Sequence, residues 1–110
     1  RKVKPVDPEL LRVTAMRAVP YALFSSGQPP VWPLCVTSIN ERVVITQGCD
    51  PKWVAMSQRM SALQIARTYP QGARVGSDNL NPCACWGAGH QMVALNYQTA
   101  DLPVQLNDAL

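Results

Sequence analysis

Five side chains carry most of the reactive chemistry in this 110-residue chain: Cys35, Cys49, Cys83, Cys85 and His90, its only histidine. Three of them crowd into Asn81-Pro82-Cys83-Ala84-Cys85-Trp86-Gly87-Ala88-Gly89-His90. Four thiols and one imidazole can staple a fold with disulfides, hold a zinc ion, or act as nucleophile and base. Each chemistry demands its own spacing.

An even cysteine count in a small chain fits two disulfides in an oxidising compartment. Val31–Ile39 and Arg42–Gln47 read as a hairpin turning at Asn40-Glu41. In that register Cys35 and Cys49 point to opposite faces. Cys83 and Cys85 are too close for an unstrained bridge. The expected pairing is therefore crossed, Cys35 with one of Cys83 and Cys85 and Cys49 with the other. Each bridge would contribute ~3–4 kcal/mol by closing a loop of ~35 to ~50 residues. Zinc knuckles use pairs spaced C-x₂₋₄-C. Cys83-Ala84-Cys85 is tighter than that, so a Cys/His zinc site ranks third, with no residue assigned as a metal ligand and no cofactor expected.

The nucleophilic reading starts at Cys49, directly before a helix start, where free amides and the helix dipole favour a thiolate and can hold an oxyanion. His90 opens an apolar stretch, Gly89-His90-Gln91-Met92-Val93-Ala94-Leu95, and polar Asn107 and Asp108 follow. This order over residues 47–108 resembles papain-fold cysteine hydrolases, in particular bacterial transglutaminase-like cysteine peptidases. The resemblance implies Cys49 as nucleophile, His90 as general base, and Asn107 or Asp108 as the group orienting the imidazole.

The elements that must position these groups are read from caps and periodicity. Asp7-Pro8-Glu9 and Asp50-Pro51 are helix starts, with Asp capping and Pro at the first helical position. The first helix is interrupted at Pro20 and stops at Gly27-Gln28-Pro29-Pro30. The second spans about 51–68, with Trp53, Met56, Met60, Leu63 and Ala66 at helical spacing. Pro33 is placed at the open end of the hairpin. Ala73–Gly76 and Gln91–Gln98 read as third and fourth strands. The fold class expected is α+β: a two-layer sandwich in the order α-β-β-α-β-β, with two helices on one face of a mostly antiparallel sheet. Residues 1–6 form a basic lead-in, 7–98 a single domain, and 99–110 a tail or short edge strand around Val104-Gln105-Leu106.

Composition narrows the function. Hydrophobic residues make up 47% and charged ones 15%, which excludes a disordered chain. The net charge of +3 is scattered apart from Arg1, Lys2 and Lys4, so a nucleic-acid interface is not expected. No apolar run is long enough to span a membrane. The chain opens on Arg1, which reads as a processed or excised piece and leaves room for a signal or anchor upstream. The first expectation is a non-catalytic, disulfide-stapled, secreted or periplasmic domain that binds another protein, by strand addition at a free edge, in an envelope or secretion-type assembly. The alternative is a small cysteine hydrolase using Cys49 and His90.

Overall fold

The computed structural model describes residues 5–30, 32 and 34–110. The chain folds in the order α1 (Pro8–Val13), β1 (Arg17–Val19), α2 (Tyr21–Ser25), β2 (Cys35–Asn40), α3 (Glu41–Gln47), α4 (Pro51–Ser61), β3 (Ile65–Tyr69), α5 (Pro82–Gly87), β4 (Met92–Val93) and α6 (Leu102–Asp108). The four strands form one sheet in sequential order, β1-β2-β3-β4, and every pairing is parallel.

Four helices begin on one device. Asp7, Asp50, Asn81 and Asp101 each accept a backbone amide of the first turn with a side-chain oxygen, and a proline follows at the first or second helical position. The cap satisfies an orphan donor, and the proline removes another. The two Asp-Pro starts are thus helix N-termini, as the sequence indicates.

The core lies on one face of the sheet. Side chains alternate along β2, with Cys35, Thr37 and Ile39 buried and Ser38 exposed, and along β3, with Ala66 and Thr68 buried and Arg67 and Tyr69 exposed. Against the buried face pack Phe24 of α2, Val44 of α3, Trp53 and Met60 of α4, and Cys85 of α5. The opposite face presents Ala18, Val36, Ser38, Asn40, Ile65, Arg67, Tyr69 and Met92, placed together by the strand register. A sequentially ordered parallel sheet with helices packed on one face is the arrangement of half a (β/α)₈ barrel, in which the bare face would line the interior.

This architecture corrects the expected antiparallel α+β sandwich. Arg42–Gln47 is a helix despite its run of β-branched residues. Asn40 caps it by accepting the Arg42 amide at 2.9 Å, and Glu41 stands in its first turn. Thr46 returns its hydroxyl to the Arg42 carbonyl at 2.8 Å, so nothing polar is stranded. The helix penalty of Val, Ile and Thr is a few tenths of a kcal/mol each, roughly, and tertiary contacts override it. With no hairpin at Asn40-Glu41, parallel strands need helical crossovers instead.

Other boundaries move for related reasons. The first expected helix divides into α1, β1 and α2, with Pro20 as the N-cap of α2. The second ends at Ser61, and the apolar spacing beyond it belongs to β3. Residues 73–76 are turns, β4 holds two residues of the expected fourth strand, and the tail is α6. The segment around Cys83 and Cys85 is α5. Gly89, at φ +86°, then turns the chain toward β4. A Cβ there would lie 3.1 Å from Gln58 Cα on α4, so the close approach requires glycine. The expectations for Val31, Pro33 and residues 1–4 lie outside the described residues.

The two expected disulfides are absent: Cys35 and Cys85 are buried free thiols, and Cys49 and Cys83 are exposed ones. The crossed pairing assumed the hairpin and falls with it. Alkylation of the native chain without reductant should modify Cys49 and Cys83 and spare Cys35 and Cys85 until denaturant is added. Reductant-dependent labelling at any of the four would contradict this fold.

Candidate anion site on the open sheet face

The strongest polar constellation on the open face lies toward the carboxyl-terminal ends of β2 and β3. Ser38 and Arg67 are paired across the two strands, and an Arg67 guanidinium nitrogen donates to Ser38 Oγ at 2.9 Å. One register step further, Tyr69 pairs with Asn40 at the strand ends. Tyr69 is 38% exposed, and Met92 flanks Arg67 from β4 with half of its surface free. Ligands of parallel α/β sheets and barrels bind beyond these carboxyl ends, where loops leave the scaffold.

The chemistry offered is anion binding. Arginine presents a planar fork of donors that matches phosphate, and a serine hydroxyl can add a donor beside it. A tyrosine ring adds an apolar plane and a polar tip. Among the described residues, no histidine or carboxylate shares this face with Ser38 and Arg67. Arg67 thus places a positive charge and free donors on this face.

The loops above it are tied together by a buried carboxylate. Glu41 is 1% exposed, accepts the Gln71 amide at 2.8 Å, and receives Arg74 in a fork at 2.7 and 2.9 Å. Burial alone would raise the Glu41 pKa, but the Arg74 and Gln71 hydrogen bonds outweigh it and hold the value below normal. Arg74 also donates to Asp78 and to the Asn79 carbonyl. Asn79 in turn bonds Asn96 and Asp101, ahead of α6.

The residues expected from the sequence are not brought together. Cys49 is exposed ahead of the α4 cap, whereas His90 is 2% exposed beneath the sheet. Both His90 ring nitrogens are occupied, Nε2 by Ser57 Oγ at 3.0 Å and Nδ1 by Thr68 Oγ1 at 2.6 Å. No ring nitrogen is left to activate a thiol. Asn107 donates to the Tyr97 hydroxyl at 3.0 Å, and Asp108 ends α6; neither has a hydrogen bond to the imidazole. Burial pushes the Cys85 thiol pKa up, against a hydrogen bond from Thr68. No metal-binding group of three or more His, Cys, Asp or Glu occurs among the described residues.

Sequence reasoning missed Ser38, Arg67 and Tyr69. Their signal is the period-two alternation Ile65-Ala66-Arg67-Thr68-Tyr69 followed by Pro70-Gln71-Gly72. It was masked because Leu63 and Ala66 also continue the helical spacing of α4.

Burial lowers the His90 pKa from 6.5 to about 4, so the folded chain keeps the imidazole neutral. As pH falls below 6.5 the unfolded chain takes up the proton first, and stability is lost until the pH passes about 4. Unfolding free energy should therefore drop by roughly 2 kcal/mol between pH 7 and 4.5 through this group. Denaturant titrations of His90→Gln should show that part of the slope gone; an unchanged slope would mean that His90 titrates normally. The depressed Glu41 carboxyl acts lower, its contribution present above about 4.5 and lost as pH falls through the folded value.

Residues 13–110 match the family described as phosphatidylinositol-specific phospholipase C, Y domain. The 1-phosphatidylinositol 4,5-bisphosphate phosphodiesterase beta-2 of Mus musculus is 57% identical over 47 residues, which are 43% of this chain and 4% of that protein. The gamma plc-3 enzyme of the same name from Caenorhabditis elegans is 54% identical over 44 residues, 40% of this chain and 3% of its own. The crystal structure of L. pealei PLC21 superposes with a TM-score of 0.72 at 26% identity, covering 97% of this chain and 14% of that one. The chain thus spans a small fraction of the relatives it matches.

These matches overturn the expected non-catalytic binding domain and its cysteine-hydrolase alternative, since they are to segments of phosphodiesterases. The resemblance to transglutaminase-like peptidases fails with the parallel sheet and the sequestered His90. The secreted or periplasmic placement rested on disulfides and an envelope assembly, and neither survives the free thiols and the family match. Matched from residue 13 to its last residue, the chain belongs to the phosphatidylinositol-specific phospholipase C Y-domain family.

Proposed function

We propose that this chain forms one wall of the substrate site of a phosphoinositide phosphodiesterase and receives the phosphorylated inositol headgroup of phosphatidylinositol 4,5-bisphosphate. The observation that carries the reading is the Arg67–Ser38 pair on the open face, near the carboxyl ends of β2 and β3. The names of the relatives supply the substrate class.

Each group has a role in this reading. Arg67 turns its guanidinium fork from Ser38 to a ring phosphate, and the freed serine hydroxyl donates to the same phosphate. Tyr69 lies at the strand end, where its ring supports the inositol face. Phosphodiester cleavage also needs a base for the attacking hydroxyl and an acid for the departing one. With His90 buried and no carboxylate on the described open face, those groups come from strands that complete the barrel. This chain contributes headgroup recognition, which fixes the phosphodiester for attack.

Arg67→Gln should lower kcat/KM toward phosphatidylinositol 4,5-bisphosphate in detergent mixed micelles by about 10- to 100-fold, as expected for loss of charge-assisted hydrogen bonds. Ser38→Ala should lower it by a smaller factor. Cleavage of phosphatidylinositol, which has no ring phosphate, should change little in either variant. Unaltered turnover of the bisphosphate by Arg67→Gln would refute the reading.

A further inference from the structure

We infer that Glu41 and Arg74 are positioning residues, whose ion pair fixes the strand ends carrying Ser38 and Tyr69 and so sets the preference for ring-phosphorylated headgroups. The inference rests on the headgroup reading above and extends it to residues that do not line the open face.

Order is hardest to maintain where the strands end. Asn40 and Tyr69 are the last residues of β2 and β3, and beyond them the ladder supplies no further hydrogen bonds. A site must be held within about half an ångström to work, and loops alone seldom achieve that. Glu41 is the residue after Asn40, and it binds the backbone amide of Gln71, two residues past Tyr69. Its other contacts go to Arg74, so one carboxylate clamps the exits of both strands.

The clamp extends further. Arg74 donates to the Asn79 carbonyl at 3.2 Å, and Asn79 donates to the Asn96 carbonyl at 2.8 Å and to Asp101 at 3.0 Å. The exits of β2, β3 and β4 are thereby joined into one hydrogen-bonded unit above the open face. Stability is a poor explanation for this arrangement, because the desolvation of a buried ion pair offsets most of its attraction. The fork geometry of Arg74 on Glu41 specifies position and orientation, which an apolar pair would not.

Electrostatics distinguishes positioning from a through-space effect of charge. If the pair acted on the phosphates by charge, removing Glu41 would strengthen headgroup binding and removing Arg74 would weaken it. A positioning role predicts the same direction for both. Glu41→Gln and Arg74→Gln, made in the complete enzyme, should each raise KM for phosphatidylinositol 4,5-bisphosphate by roughly 10-fold or more, within the range that ångström-scale misplacement produces. Their turnover of phosphatidylinositol should change far less, so discrimination falls. Arg74→Lys keeps the charge without the fork and provides a milder variant should the others fail to fold; it should show the same loss of discrimination.

Opposite shifts for Glu41→Gln and Arg74→Gln would overturn the inference in favour of a charge effect. Proportionate loss on both lipids would overturn it in favour of a general structural role, as would Arg74→Lys with wild-type discrimination. Arg67→Gln is the control for the site itself. If Arg67→Gln alters discrimination and the Glu41 and Arg74 variants do not, the positioning role fails and the headgroup site stands. If Arg67→Gln leaves it unaltered, both fail.

Discussion

Glu41 is the group on which the upper half of the molecule depends. It is a carboxylate with almost no contact with water, which would be strongly unfavourable unless fully paired. The Arg74 fork and the Gln71 amide meet that requirement, and in doing so they fix the path of the chain after β3. The same residue stands in the first turn of α3, so helix initiation, strand exit and loop course converge on one side chain. The loop it holds contains Ser77 at φ 55°, a left-handed conformation for a residue with a Cβ, and this is tolerated where surrounding contacts determine the backbone.

Below that rim the sheet separates two environments by the alternation of its side chains. The helix-covered face is packed with Phe24, Ile39, Met60 and Ala66, and holds paired polar groups such as His90 between Ser57 and Thr68. The open face is apolar at Ala18, Val36 and Ile65, near the strand starts, and polar at Ser38, Arg67 and Tyr69, toward the ends. That gradient suits a barrel interior whose lower layers are packed and whose upper layer meets substrate. It also fits the proposed role of this wall, with the charged group Arg67 in the upper layer.

How much of this was legible in the sequence varied with the range of the interactions. Helix starts at Asp7 and Asp50 were readable because a cap and a proline are local signals. The same signal at Asn81-Pro82 and at Asp101-Leu102-Pro103 went unread beside the cysteines and the weak pattern of the tail. The helix at Glu41–Gln47 was hidden because Glu41 meets partners as distant as Arg74, while the β-branched run favours a strand locally. That single error produced the hairpin, the antiparallel sheet and the disulfide pairing. The candidate site was invisible for a related reason. Ser38 and Arg67 are far apart in sequence and meet only through a parallel register that no local pattern encodes. Cysteine and histidine drew the functional reading, yet the fold buries His90, Cys35 and Cys85.

The most direct test of the account is a crystal structure of the complete enzyme with a soluble inositol headgroup carrying the ring phosphates of the lipid. A ring phosphate is expected at about 2.7–2.9 Å from the Arg67 guanidinium, with Ser38 Oγ donating to the same group and the ring against Tyr69. A headgroup bound elsewhere, with Arg67 still hydrogen-bonded to Ser38, would contradict it.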